Sequence, residues 1–252
     1  MIRICSIASG SNGNCYYIEY CGVAVLVDCG IFYKRLLERA TRLGIDLSIV
    51  KYVFISHEHS DHVRGARVVS KKLNVPIYFT QKTFEATAQK SRPENPVFFD
   101  EMPIDVADGF RVVPIKKSHN AADPYSFVVE VGDKSVGVFT DIGTADRKLM
   151  DSFSKCDAVF LESNYDETML KNGKYPDYLK LHIAGDTGHL SNNQAFMLLS
   201  CCAGQNLTHV IISHVSQDNN THDIINEKFK DLIPNYQFSI APRYSEGIMY
   251  EL

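Results

Sequence analysis

The sequence has no apolar run approaching membrane-spanning length, and its opening Met-Ile-Arg-Ile-Cys-Ser-Ile-Ala-Ser-Gly meets Ser and Gly before a secretory hydrophobic segment forms. It also has no Cys-x-x-Cys pair. Its seven cysteines (5, 15, 21, 29, 156, 201 and 202) are odd in number, and most sit in apolar stretches as reduced core thiols do. These absences argue against membrane insertion and a disulfide framework, and they predict a soluble, cytoplasmic protein. Gly/Ser- or Pro-rich linkers, low-complexity tracts and internal repeats are missing too. A chain of 252 residues, 45% hydrophobic, is long enough to bury roughly 70 to 75% of its unfolded surface. One domain over residues 1–252 is therefore expected. A net charge of −4 excludes a protein coated in basic surface, though not a local nucleic-acid track. Arg64, Arg67, Lys71 and Lys72 at helical spacing, and Lys116-Lys117 before His119, are the local cations to follow. No segment interleaving aromatic and basic residues distinguishes DNA from RNA.

What the sequence does hold is concentrated between residues 57 and 62. His-Glu-His-Ser-Asp-His follows the apolar run Tyr52-Val53-Phe54-Ile55-Ser56, which places three imidazoles and a carboxylate in six positions at a strand end. In extended chain His57 and His59 point the same way, so both can hold one ion, while Asp61 and His62, past a turn, reach a second. Glu58, between two ligands, is expected to point away. Neutral imidazole and carboxylate are donors for zinc and similar ions, and a hydrolytic site keeps one coordination position for water. The pattern predicts a binuclear centre.

The coarse pattern alternates strands and helices. Strands are expected at 2–7, 16–20, 23–27, 51–56 and 76–79, with helices at 31–42, 63–73 and 82–90. The second half reads as strands 110–115, 125–131, 135–140, 157–161, 208–213, 236–240 and 247–251, with helices at 146–153, 191–203 and 222–232. Two mixed sheets flanked by helices, an α/β (α+β) class, satisfy this order.

The block His57, His59, Asp61, His62, with Asp28-Cys29-Gly30 ending an earlier strand, resembles the metallo-β-lactamase fold superfamily. Ser9-Gly-Ser-Asn-Gly-Asn14, Asp141 after Val136–Thr140, Gly188-His189-Leu190-Ser191-Asn192 and Ile212-Ser213-His214-Val215-Ser216 extend the resemblance over essentially the whole chain. Together they look most like its YycJ/WalJ branch. The resemblance implies a four-layer αβ/βα sandwich and a metal-dependent nuclease, DNA exonuclease-like. It also implies two divalent ions, zinc or manganese with iron as an option: His57, His59 and His119 for one, Asp61, His62 and His214 for the other, with Asp141 bridging. A hydroxide held between the ions is then the nucleophile, and Asp61 is placed to accept its proton. His189 resembles the non-ligand catalytic His of the phosphodiesterase and nuclease branches, a general acid, and Glu162 resembles the acidic position that accompanies it.

Substrate class needs its own argument, because these metals also hydrolyse lactams, thioesters and lactones. Ser191 reads as a helix N-cap directly after His189, and Asn219-Asn220-Thr221 precede another helix after His214. Helix N-termini aimed at a metal site favour an anion such as phosphate. Ser9, Asn12, Asn14, Ser191 and Asn220 are accordingly the candidate substrate contacts. The partner is expected to be nucleic acid, DNA favoured, or another phosphodiester. The competing readings are a small-molecule phosphodiesterase, a thioester or lactam hydrolase of the same fold, and, least favoured, a non-enzymatic metal-binding regulator. No insertion large enough for the extra nuclease domain of β-CASP relatives is present.

Overall fold

The first three strands are rich in β-branched and aromatic residues, and the chain turns back at Cys21-Gly22, where φ values of 48° and 77° give the left-handed pair that suits a tight hairpin. In the computed structural model, which describes residues 1–252, β1 (Ile2–Ala8), β2 (Cys15–Tyr20) and β3 (Val23–Val27) pair antiparallel in succession. The helix α1 (Tyr33–Arg42) then returns the chain to β4 (Val50–Phe54), which lies parallel to β3. After α2 (Ser60–Val63) and α3 (Ala66–Leu73), β5 (Ile77–Phe79) adds in parallel. The short helix α4 (Gln81–Ala86) leads to β6 (Pro96–Phe98), parallel again.

The second sheet repeats this plan. A meander of β7 (Ile104–Ala107), β8 (Phe110–Lys116), β9 (Tyr125–Val131) and β10 (Lys134–Phe139) is antiparallel throughout. The helix α5 (Arg147–Phe153) leads to β11 (Ala158–Glu162), parallel to β10. Three helices follow, α6 (Glu167–Asn172), α7 (Asp177–Ala184) and α8 (Asn192–Cys202), before β12 (His209–Ser213). After α9 (His222–Phe229), β13 (Gln237–Ile240) completes the parallel half, and β14 (Tyr250–Glu251) crosses to pair with β1. The orders are β14-β1-β2-β3-β4-β5-β6 and β13-β12-β11-β10-β9-β8-β7.

Side-chain parity divides the apolar residues into three layers. Ile4, Tyr16, Ile18, Val25 and Val27 of the first sheet meet Phe127, Val129, Val138, Phe160 and Ile211 of the second. Alternate residues of the first sheet, including Tyr17, Leu26 and Val53, pack outward against Leu36 and Ala40 of α1 and Val69 of α3. Those of the second, including Val159, Val210 and Ile212, pack against Phe153, Leu199 and Phe229 of α5, α8 and α9. Two sheets sandwiched between helices give the four-layer architecture expected.

The structure amends some boundaries. The helix expected at 63–73 begins at Ser60 and breaks at Gly65, and the one expected at 82–90 stops at Ala86. The strands β6 and β7 and the helices α6 and α7 were not anticipated: β7 is a partly exposed strand at the sheet edge, and no α7 residue is buried, so neither carries a strong apolar pattern.

Candidate metal centre

Three parallel strands end alike. Asp28 directly follows β3, Asp141 stands two residues beyond β10, and His214 directly follows β12, with left-handed φ values of 61°, 55° and 54°. That conformation costs a non-glycine residue on the order of 1 kcal/mol, and Asp and His are among the residues that tolerate it. Each turn redirects the chain at the carboxyl edge of its sheet, the edge where open α/β sheets bind ligands. The six-residue motif leaves β4 at the same edge. His57 stays in the extended tail, His59 caps α2, and Asp61 and His62 lie within its single turn.

The side chains gather in two overlapping groups. In the first, His57 Nε2 lies 3.0 Å from His59 Nδ1, which is 3.4 Å from His119 Nε2. In the second, Asp61 Oδ2 is 3.5 Å from His62 Nε2 and 3.6 Å from His214 Nε2. Asp141 stands between them: Oδ2 is 3.1 Å from His62 Nε2, and Oδ1 is 3.5 Å from His214 Nε2 and 3.8 Å from His119 Nε2. Asp141 Oδ2 and His214 Nε2 are buried without any hydrogen-bond partner, although buried polar atoms are nearly always paired. Lone pairs facing one another across 3 to 4 Å, with two left orphaned, fit divalent cations held by imidazole and carboxylate.

The family model described as Beta-lactamase superfamily domain matches residues 24–214, an interval that holds every one of these donors. The chain belongs to this superfamily. Among the superfamily's named members, the chain is 26% identical over 241 residues to exodeoxyribonuclease YycJ of Bacillus anthracis, covering 94% of this chain and 91% of the relative. It is 27% identical over 223 residues to exodeoxyribonuclease WalJ of Streptococcus pneumoniae, covering 86% and 83%. A solved diphosphatase of the PhnP family shares the fold at a TM-score of 0.71, with 17% identity over 100% of this chain and 98% of that one. Membership implies divalent metal binding, and the resemblance to the YycJ-like branch stands.

Supports hold these side chains in place from behind. Buried Asp28 accepts hydrogen bonds from Ser56 N (2.8 Å), Ser56 Oγ (2.9 Å) and His62 Nδ1 (2.7 Å), which fixes the His62 ring and leaves Nε2 for the centre. His119 Nδ1 donates to the Gly188 carbonyl (2.9 Å). Glu162 serves two rings: Oε1 accepts from His189 Nδ1 (2.8 Å) and His214 Nδ1 (3.1 Å), while Oε2 accepts from Ile142 N (2.9 Å) and Leu190 N (3.1 Å). Glu58 turns away, as expected, and accepts from Ala122 N (2.9 Å).

Burial and neighbouring charge divide the histidines. Burial dominates at His57 and His59, pushing both down from the usual imidazole value with help from His62, and it pulls His119 to about 3. Burial opposes protonation at His62 and His214 as well, but Asp141 and the other carboxylates outweigh it, raising His62 well up and His214 to about 10. Burial would raise Glu162, yet the adjacent His189 and His214 hold it at about 2. The second group thus concentrates negative charge, the charge a divalent cation would balance.

The five residues expected to contact substrate make hydrogen bonds within the protein. Ser9 Oγ accepts from His214 N (2.8 Å), Asn12 Nδ2 donates to the Arg243 carbonyl (3.1 Å), and Asn14 Nδ2 approaches His62 Nε2 (3.0 Å) and Asp61 Oδ2 (3.3 Å). Ser191 caps α8 in a reciprocal box with Gln194, and Asn220 exchanges amide hydrogen bonds with Asn192 (2.8 and 3.0 Å). Short polar side chains beside buried ligands are used here to tie loops together. Of the local cations, Arg64 binds the Asn12 carbonyl (3.3 Å) and Lys116 pairs with Asp123 (2.7 Å). Lys117 is buried, bonded to the Thr140 carbonyl at 2.6 Å, and pushed down by that burial.

Two supporting roles escaped the sequence reading. Asp28 was noticed as a strand-end residue, but its hold on His62 depends on β3 lying beside β4. Asn164, whose Nδ2 donates to the His214 carbonyl (2.8 Å), had no signal beyond its place two residues past a strand.

Proposed function

We propose that the protein is a binuclear metal-dependent phosphodiesterase acting on nucleic acid, as a DNA exonuclease. The observation that carries this reading is the His189–Glu162 pair. His189 lies 3.6 Å from Asp141 through a nitrogen already committed to Glu162 at 2.8 Å, which leaves Nε2 as the ring nitrogen available to a substrate. A ring held in one tautomer beside the metal donors, yet partly exposed, suits a proton donor better than a ligand. The names of the YycJ and WalJ relatives support a deoxyribonucleic substrate.

His57, His59 and His119 would hold one ion and Asp61, His62 and His214 the other, with Asp141 between them; zinc or manganese suits these donors. When bound, such ions lower the pKa of water toward neutrality and offset charge on phosphate oxygens. Asp61, at the exposed side, accepts the proton of the attacking water. His189 acts as the imidazolium: it gives its Nε2 proton to the departing oxygen and is left neutral, while its Nδ1–H stays on Glu162, which keeps the ring oriented through that transfer. Ser9, Asn14, Ser191 and Asn220 act by holding the loops that bear these groups. Because the donors come from both sheets, we read residues 1–252 as one domain.

The test is to incubate metal-analysed protein with 5′-labelled and 3′-labelled DNA and RNA, a chromogenic phosphodiester and a thioester, under zinc and under manganese. Shortening of DNA from one end together with phosphodiester cleavage is the expected result. Hydrolysis of the thioester alone would overturn the proposal.

A further inference from the structure

Beside His214, at the same edge of the sandwich, a groove of about 380 Å³ opens between the loop after β12 and the loop after β13. Val215, Ser216, Gln217, Ala241, Pro242 and Tyr244 are among the residues that line it. Tyr244 is 70% exposed, so most of its ring is open to solvent. Its hydroxyl is bonded to Gln217 Oε1 at 2.8 Å, so one end of the ring is fixed while the face stays bare. The loop itself is latched. Arg243 donates through Nη1 to the Val215 carbonyl (3.1 Å) and through Nη2 to Ser11 Oγ (3.2 Å), and its own carbonyl accepts from Asn12. Ser9, which binds the His214 amide, also lines the groove, so groove and metal centre share a wall.

We propose that this groove is the subsite for a nucleobase flanking the bond to be cleaved, with Tyr244 as its stacking platform. A groove in which apolar side chains and the Tyr244 ring stand beside amide and hydroxyl groups matches the chemistry of a base, whose faces are apolar and whose edge is polar. A phosphate would demand cationic donors, and the one guanidinium present has its two terminal nitrogens committed to the latch. A ring already fixed by Gln217 loses little freedom on stacking, and base–aromatic stacking tolerates every base. The occupant is therefore a single-stranded polynucleotide end, read by stacking and not by sequence. This inference rests on the phosphodiesterase reading above.

The test is equilibrium binding to the full-length, metal-loaded protein, using short fluorescent single-stranded oligonucleotides with phosphorothioate linkages that resist hydrolysis, in deoxyribo and ribo forms. Tyr244→Ala is expected to weaken binding about tenfold, within the range for loss of one stacked base, and Tyr244→Phe to stay within about twofold of wild type. An oligonucleotide with an abasic terminal unit is expected to bind the wild type as weakly as the intact one binds Tyr244→Ala, with no further loss when the two changes are combined. Unchanged affinity in Tyr244→Ala, or an equal loss on the abasic ligand, would overturn the subsite. Hydrolysis of a chromogenic phosphodiester by wild type and variant is followed in parallel. If that diester is not cleaved while stacking is found, the catalytic reading fails and the groove is a base-binding site without a bond to flank; if it is cleaved and stacking is absent, the subsite fails and the catalytic reading stands.

Discussion

Single residues divide the work at the centre into donors and the groups that aim them. Asp28 touches no open space, yet it fixes the His62 ring through Nδ1 at 2.7 Å. Asp28→Asn keeps the size and tolerance of the left-handed turn but turns an acceptor into a partial donor. Metal affinity of the second group is expected to fall about 10- to 100-fold, the usual effect of altering such a partner, measured by competition with a chromogenic chelator. A loss confined to global stability, with affinity intact, would count against an aiming role. His189→Ala is expected to leave metal content unchanged while slowing diester turnover by about 10² to 10⁴. Loss of an ion in that variant would instead make His189 a ligand.

How much of this the sequence revealed follows from the range of each interaction. His57, His59, Asp61 and His62 are legible because a strand tail and one helical turn display them within six positions. His119, Asp141 and His214 are legible as polar residues that end apolar strands. The hold of Asp28 on His62 and the double use of Glu162 are invisible locally, since each needs strands paired in a particular order.

Elements bring these residues together through approaches that leave no room for a side chain. A Cβ at Gly30 would stand 1.5 Å from the Asp61 carbonyl oxygen and 2.8 Å from Asn14 N, and both are backbone atoms. There the tail of β3, the start of β2 and the motif loop interlock, with Asn14 N donating to the Asp61 carbonyl at 2.7 Å and Cys29 N to the His62 carbonyl at 2.7 Å. Gly30→Ala must force the motif away from the first sheet. We expect destabilisation of about 3 kcal/mol, the upper end for overpacking, together with reduced metal content. Thermal unfolding and metal analysis check both, and a variant with wild-type stability would show that the loops separate freely. The helices α6 and α7 illustrate the opposite case: α6 buries only Leu170 and is capped by Asp166, while α7 buries nothing and has no side-chain cap. Apolar periodicity could not announce them.

Across the whole molecule, metal binding and folding are linked. Ions that bind only the folded form stabilise it by about 2.7 kcal/mol at a hundredfold excess over the dissociation constant. Chelation is therefore expected to lower the unfolding midpoint by roughly 5 to 10 °C, given about 2 to 4 °C per kcal/mol for a chain of this size, and re-addition of zinc or manganese to restore it. Scanning calorimetry of stripped and reloaded protein decides this, and an unchanged midpoint would mean that the crowded carboxylates and imidazoles cost nothing when ion-free.

The division of the centre between two sheets also sets an order of events during folding. His57 and His214 are separated by 157 positions (214 − 57), and Asp141 lies two residues beyond a strand that pairs antiparallel with β9 and parallel with β11. Closing so long a loop carries an entropic cost that an ion bound to the motif alone does little to offset. The sheets must therefore find each other through Phe54, Phe127 and Phe160 first. The ion then arrives late, entering a protein already built rather than nucleating one, and the newly made chain passes through a stage in which it is fully shaped but not yet loaded.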